Sequence, residues 1–169
     1  MHPLARLIVD VPDFPKPGIL FRDITPLLRT HFGAVVAALD ERFSAREWSA
    51  AEAVAGVESR GFILAAALAA KHGKGFVPIR KKGKLPPPVV ERPYALEYGA
   101  AVLEMQRGDG RLILVDDVLA TGGTLAAAAQ LATDAGFRVL HAAVLIDLGL
   151  APEFRCLGEA PRAVIRYGG

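Results

Sequence analysis

The stretch Leu112 to Leu125, LILVDDVLATGGTL, constrains this chain more than any other. Four apolar residues, Leu112 to Val115, fit a short strand covered on both faces, as strands of parallel sheets are. Asp116 and Asp117 stand where that strand is expected to end. Thr121-Gly122-Gly123-Thr124 then opens a helix, expected over about Gly123 to Ala135. Free N–H groups and the dipole at a helix start favour a phosphate. The glycines let the backbone approach the anion, and the threonine hydroxyls add donors. Carboxylates directly before a phosphate cradle would repel a bare phosphate. They suit a ligand with hydroxyls or a bound cation about one sugar ring from its phosphate, and ribose 5-phosphate meets that description. The chain contains neither G-x-x-x-x-G-K-[ST] nor a dinucleotide fingerprint, which excludes both common nucleotide loops.

Elsewhere apolar runs and helical periods alternate. Leu4 to Val11 reads as a short helix and Pro12 to Gly18 as a proline-rich loop. Phe32, Val35, Val36, Leu39 and Phe43 share one face of a helix, Ala53 to Val57 is strand-like, and a helix is expected over Phe62 to His72. Phe76 to Ile79, Ala95 to Gln106 and Val139 to Ile146 read as further strands. Lys81 to Pro93 holds four prolines and reads as a long mobile loop. The expectation is one α/β domain over residues 1–169, with a mainly parallel central sheet flanked by helices. A small N-terminal hood of about residues 1–30 and a flexible loop of about residues 81–95 complete it. Ligands of such sheets sit at the carboxyl ends of the strands. There the loops Glu58 to Gly61, Arg80 to Lys84 and Asp116 to Thr124 are expected to converge.

Composition narrows the function classes. With 52% hydrophobic and 22% charged residues, the 169-residue chain can form a core and is not generally disordered. No apolar run approaches the ~20 residues of a membrane span, and the N-terminus lacks a signal-peptide pattern. A cytoplasmic address is expected. The single cysteine, Cys156, cannot form an internal disulfide, and the four histidines show no metal-ligand spacing. Net charge is only +2, although Arg80, Lys81, Lys82 and Lys84 place four cations within five residues. Taken alone, that run reads as a solvated face or a nucleic-acid patch.

VDDVLATGGT resembles the 5-phosphoribosyl 1-pyrophosphate motif of the type I phosphoribosyltransferases. FPKPGILFRDITPLL (Phe14 to Leu28), GVESRGFILAAALA (Gly56 to Ala69), PIRKKGKLP (Pro78 to Pro86) and YALEYG (Tyr94 to Gly99) resemble the adenine-specific branch of that family, in order along nearly the whole chain. The resemblance implies the type I phosphoribosyltransferase fold and a Mg²⁺-dependent transfer of the phosphoribosyl group to adenine, yielding AMP and pyrophosphate. It implies that Ala120, Thr121, Gly122, Gly123 and Thr124 cradle the 5-phosphate while Asp116 and Asp117 hold the ribose hydroxyls. Ser59, Arg60, Lys81 and Lys84 would take the pyrophosphate, with Mg²⁺ carried mainly by the substrate rather than by dedicated ligands. Glu97 would exchange a proton at N7 of the purine. Leu20, Phe21 and Arg22 of the hood, with Leu148 on the other face, would clamp adenine. A homodimer is expected, with no nucleic-acid or membrane partner. Two positions depart from the pattern: Asp147 stands where the family more often has glutamate, and LPPPVVERP is richer in proline. Transfer to another base and a nucleic-acid-binding regulator built on this fold remain the competing readings.

Overall fold

The computed structural model describes residues 2–96 and 99–168. A 3₁₀ turn (Pro3–Leu7) leads into a two-stranded antiparallel hairpin, β1 (Val9–Pro12) and β2 (Leu20–Asp23). Helix α1 (Thr25–Asp40) follows, then α2 (Ala45–Ala50), β3 (Ala53–Val57), α3 (Arg60–Lys71) and β4 (Gly75–Lys81). Next come β5 (Val89–Leu96), β6 (Gly99–Gln106), β7 (Arg111–Leu119), α4 (Gly123–Asp134), β8 (Arg138–Asp147) and β9 (Arg162–Arg166).

Strands β3 to β9 form one sheet in the order β5-β6-β4-β3-β7-β8-β9. Its β4-β3-β7-β8-β9 portion is parallel, and β6 and β5 add an antiparallel edge. The apolar run of β7 is explained by cover on both faces. Ile113 and Val115 join Val54, Leu64, Leu68 and Leu145 in one cluster with α1 and α3. Leu112 and Leu114 point the other way, into a cluster with Ala55, Ile79, Val144 and Leu131 of α4. Alternate side chains thus feed two cores, so period-two alternation of polarity disappears.

The expected α/β architecture with a mainly parallel sheet is therefore present, with local revisions; Ala95 to Gln106 is not one strand, since β5 ends at Leu96 and the antiparallel β6 begins at Gly99. Leu4 to Val11 is a 3₁₀ turn followed by strand β1, because Val9 to Pro12 pair with Asp23 to Leu20. Half of the expected loop of residues 81–95 is strand β5, whose Val89 pairs with Gln106 and whose Pro93 faces Val102. Helix α2 and strand β9 were not anticipated. The α2 start is a capping box, with the Glu47 amide donating to Ser44 Oγ and the Ser44 amide donating to the Glu47 carboxylate. Among the described residues no helix is long and apolar enough to cross a membrane.

Candidate active site

After β3 the chain crosses to β4 on one side of the sheet, and it later returns to β7 on the other. A crevice opens where the strand order reverses in this way. Strand β7 pairs with β3 only as far as Val115, but with β8 as far as Leu119. Asp116 and Asp117 therefore lie inside β7, past its last pairing with β3, and not at its end as expected. A cavity of about 490 Å³ sits there, lined by Glu58, Ser59 and Arg60, by Lys81 and Tyr94, and by Asp116 to Leu125. A larger surface depression at the β9 edge, about 670 Å³ between Arg42 and Arg166, brings together no carboxylate pair and no glycine turn.

Both aspartates are 7% exposed. The Asp117 amide donates to Asp116 Oδ1 at 2.8 Å. Gly61 in the first turn of α3 lies so close that a Cβ there would stand 2.8 Å from Asp116 Oδ1 and 3.1 Å from the Val115 carbonyl. Only glycine admits this approach of α3 to the carboxylate. Burial, and next the Asp117 charge, push the Asp116 carboxyl well above its ordinary range. Arg60 Nε lies 2.6 Å from Asp117 Oδ2. This is ion-pair distance without hydrogen-bond alignment, and Oδ2 has no hydrogen-bond donor among the described residues. The pair thus presents oxygens whose charge is incompletely compensated, suited to hydroxyl donors or a hard cation.

At Gly122 the backbone adopts φ +90°, and a Cβ would meet the Phe154 ring at 2.5 Å. Gly122 caps α4 with no side-chain hydrogen bond, so no side chain of the cap takes the first-turn N–H groups. Ala120 to Thr124, expected as a phosphate cradle, line the cavity at this helix start.

The opposite wall is basic and anchored by two glutamates. The Glu58–Ser59 peptide is cis. Glu58 receives Lys84 Nζ at 2.5 Å, the Lys81 amide at 3.0 Å and Arg80 Nε at 3.2 Å. Burial opposes its ionisation, but these donors, led by Lys84, hold the carboxyl below its ordinary value. Glu104 of β6, 2% exposed, accepts the amides of Gly83, Lys84 and Leu85 at 2.9, 2.7 and 2.6 Å. Burial again opposes and the three N–H donors prevail, so its carboxyl also titrates low. Tyr94 and Glu104 were missed in the sequence. No local pattern marks either, and a glutamate in an alternating strand reads as solvent-facing.

Lys81 and Arg60 line the cavity, whereas Lys84 is held on Glu58. The hood residues stand outside it. Leu20 is 47% exposed and faces Pro12, which has no N–H to offer its carbonyl. Phe21 packs edge-on against Phe14 and lies under Arg60, whose Cζ is 5.0 Å from the ring centroid. Arg22 pairs with Asp10 and covers the Tyr167 ring. Leu148, just after β8, packs with Val118 and Tyr167 against the buried cluster that includes Ile146 and Ile165. Arg60 is thus the described link between hood and carboxylates, and Glu97 falls outside the described residues.

A carboxylate pair, an open helix start and a basic wall meet at one switch point of this α/β sheet, and residues 34–153 match the phosphoribosyl transferase domain family. The protein from Hydrogenovibrio crunogenus, an adenine phosphoribosyltransferase, is 51% identical over 167 residues, covering 98% of this chain and 97% of its own. Among solved structures, the adenine phosphoribosyltransferase of Thermoanaerobacter pseudethanolicus superposes with a TM-score of 0.88 at 37% identity, covering 97% of this chain and 98% of its own. The Giardia lamblia enzyme, solved with 9-deazaadenine, gives 0.85 at 35% identity, covering 98% and 97%. The chain belongs to the adenine phosphoribosyltransferases, within the type I phosphoribosyltransferase fold.

Proposed function

We propose that this protein transfers the 5-phosphoribosyl group from 5-phosphoribosyl 1-pyrophosphate to N9 of adenine, forming AMP and pyrophosphate in purine salvage. The observation that carries the reading is the Asp116–Asp117 pair, set between the open start of α4 and the cations of the opposite wall, in a chain of this family.

In this reading the backbone N–H groups and hydroxyls of Ala120 to Thr124 take the 5-phosphate. Asp116 and Asp117 accept from the ribose hydroxyls. As the bond from the anomeric carbon to pyrophosphate breaks, positive charge develops on the sugar, and nearby carboxylates stabilise it. Ser59, Arg60, Lys81 and Lys84 receive the leaving group. Type I phosphoribosyltransferases generally use Mg²⁺, which binds through one or two carboxylates plus substrate phosphates. The buried aspartate pair, with Asp117 Oδ2 lacking a hydrogen-bond donor, fits such an ion carried mainly by the substrate and held near the ribose hydroxyls. When bound, the ion neutralises the departing pyrophosphate.

Phe21 would stack on the base and Leu148 would pack on its other face, with Arg22 beside it. The Leu20 backbone would pair with the adenine edge. Hypoxanthine reverses the donor and acceptor on that edge and would leave two polar contacts unpaired, a large penalty. Glu97 would trade a proton with N7, worth about 10²–10⁴-fold. A homodimer and a cytoplasmic location complete the proposal, without a nucleic-acid or membrane partner.

Incubation with adenine, 5-phosphoribosyl 1-pyrophosphate and Mg²⁺ is expected to yield AMP and pyrophosphate, with hypoxanthine far slower. No AMP under any condition would refute the reaction, and equal rates would refute the base assignment.

A further inference from the structure

Arg60 joins the two halves of the site. Its Nε lies 2.6 Å from Asp117 Oδ2, while its Cζ stands 5.0 Å from the Phe21 ring centroid. Asp117 Oδ2 is shut off from water and has no hydrogen-bond donor among the described residues, so the Arg60 charge is its main compensation. Lys84, a second cation of the basic wall, rests in the same way on Glu58 at 2.5 Å. Two of the three cations suited to a pyrophosphate, Arg60 and Lys84, therefore sit on carboxylates, and one of these carboxylates belongs to the ribose position.

This arrangement sets up two competitions. A ribose hydroxyl and Arg60 Nε contend for one oxygen of Asp117, and a pyrophosphate and Asp117 contend for one guanidinium. A ligand carrying only ribose 5-phosphate must displace Arg60 without offering it a new anion. A ligand carrying a pyrophosphate as well supplies that anion, with the planar, bidentate geometry that guanidinium prefers.

We propose that Arg60 covers Asp117 until a pyrophosphate group draws it away, so that the site favours the pyrophosphorylated donor over ribose 5-phosphate. The inference rests on the phosphoribosyl-transfer reading, and it adds a way of rejecting phosphoribosyl compounds that lack the leaving group. By linkage, pyrophosphate tightens the binding of ribose 5-phosphate, and the reverse holds to the same degree.

Calorimetric titration of the full chain tests it, using ribose 5-phosphate alone, pyrophosphate with Mg²⁺ alone, and ribose 5-phosphate with pyrophosphate and Mg²⁺ already saturating. For the unsubstituted chain, the third titration is expected to be on the order of tenfold tighter than the first. Arg60→Gln is expected to bind ribose 5-phosphate alone on the order of tenfold more tightly than the unsubstituted chain, to bind pyrophosphate more weakly, and to lose the coupling. Arg60→Met, which keeps aliphatic bulk over Phe21, should behave alike, so a folding defect in one variant leaves the test intact. Weaker or unchanged binding of ribose 5-phosphate by a folded variant overturns the inference, as does coupling that survives without Arg60. The first result would follow if Arg60 kept Nε on Asp117 while its Nη groups took the pyrophosphate, and the second would place the coupling in other residues. If the unsubstituted chain binds neither ligand, the phosphoribosyl-transfer reading itself fails.

Discussion

Glu104→Gln isolates what one buried carboxylate contributes to the basic wall. Its two oxygens accept three consecutive backbone amides, those of Gly83, Lys84 and Leu85, at 2.9, 2.7 and 2.6 Å. A hydrogen bond to a charged group is worth roughly 1.5–3 kcal/mol and a neutral one roughly 0.5–1.5, so loss of the charge costs about 1 kcal/mol per bond. Three bonds give about 3 kcal/mol. One amide also comes to face the new NH₂ group, and that is unfavourable. The cost falls on local opening of residues 83–85, since the two cores lie elsewhere. Hydrogen exchange at pH 7 is expected to show protection of these three amides reduced by about a hundredfold, with the urea midpoint changed far less. Steady-state kinetics should show a raised KM for 5-phosphoribosyl 1-pyrophosphate, because Lys84 is no longer fixed. The Glu104 carboxyl is held below 4.5 in the folded state, so its contribution is complete above the ordinary carboxylate range and lost as pH falls through the folded value. The unsubstituted protein well below pH 4.5 should therefore lose the same protection. Unchanged protection in a folded Glu104→Gln protein would refute the anchoring role.

Other consequences are as specific. Gly122→Ala forces a left-handed conformation at φ +90° and drives a Cβ to 2.5 Å from Phe154. The backbone strain alone costs about 1–2 kcal/mol, read as a lowered Tm, and Gly122→Ala with Phe154→Ala should recover only the steric part. Removal of Mg²⁺ by a chelator should abolish AMP formation, and excess Mg²⁺ should restore it; full activity in the chelator would sink the role given to the ion. The Arg162 hydrogen bond, followed by the Ser44 amide, lowers the Glu47 carboxyl from 4.5 to about 2. Its contribution, about 1–2 kcal/mol after allowance for solvent screening, is complete above pH 4.5 and is lost as pH falls toward 2. Glu47→Gln should flatten that portion of the urea stability profile, and an identical profile would refute the assignment.

What the sequence made legible was local. The strand, the carboxylates and the glycine turn of β7 to α4 are contiguous, and each residue type has a physical reason to stand where it does. Strand β5 was hidden because prolines at 86, 87, 88 and 93 read as breakers. It is the edge strand of the sheet, where one side needs no ladder partner and Pro93 is tolerated. In the hood, Leu4, Leu7, Ile8 and Val11 fit a helical period equally well, and only pairing with β2 selects the strand. Glu104 and Arg60 acquire their contacts from segments remote in sequence, which no window on either residue reports.

The four buried or half-buried carboxyls around the cavity are divided by what faces them. Glu58 and Glu104 meet cations and aligned amides, which lower their titration and leave little unbalanced charge. Asp116 meets burial and a second aspartate, so its titration moves the opposite way. Groups whose environments push their titrations apart are the groups with separate tasks. The glutamates hold the basic wall, and any positive charge brought by a ligand gains most at the aspartate pair. In the proposed reaction that charge would appear on the sugar, over the carboxylates, while negative charge would depart toward Arg60, Lys81 and Lys84. On that reading the aspartate pair and the basic wall would face opposite ends of the bond that must break.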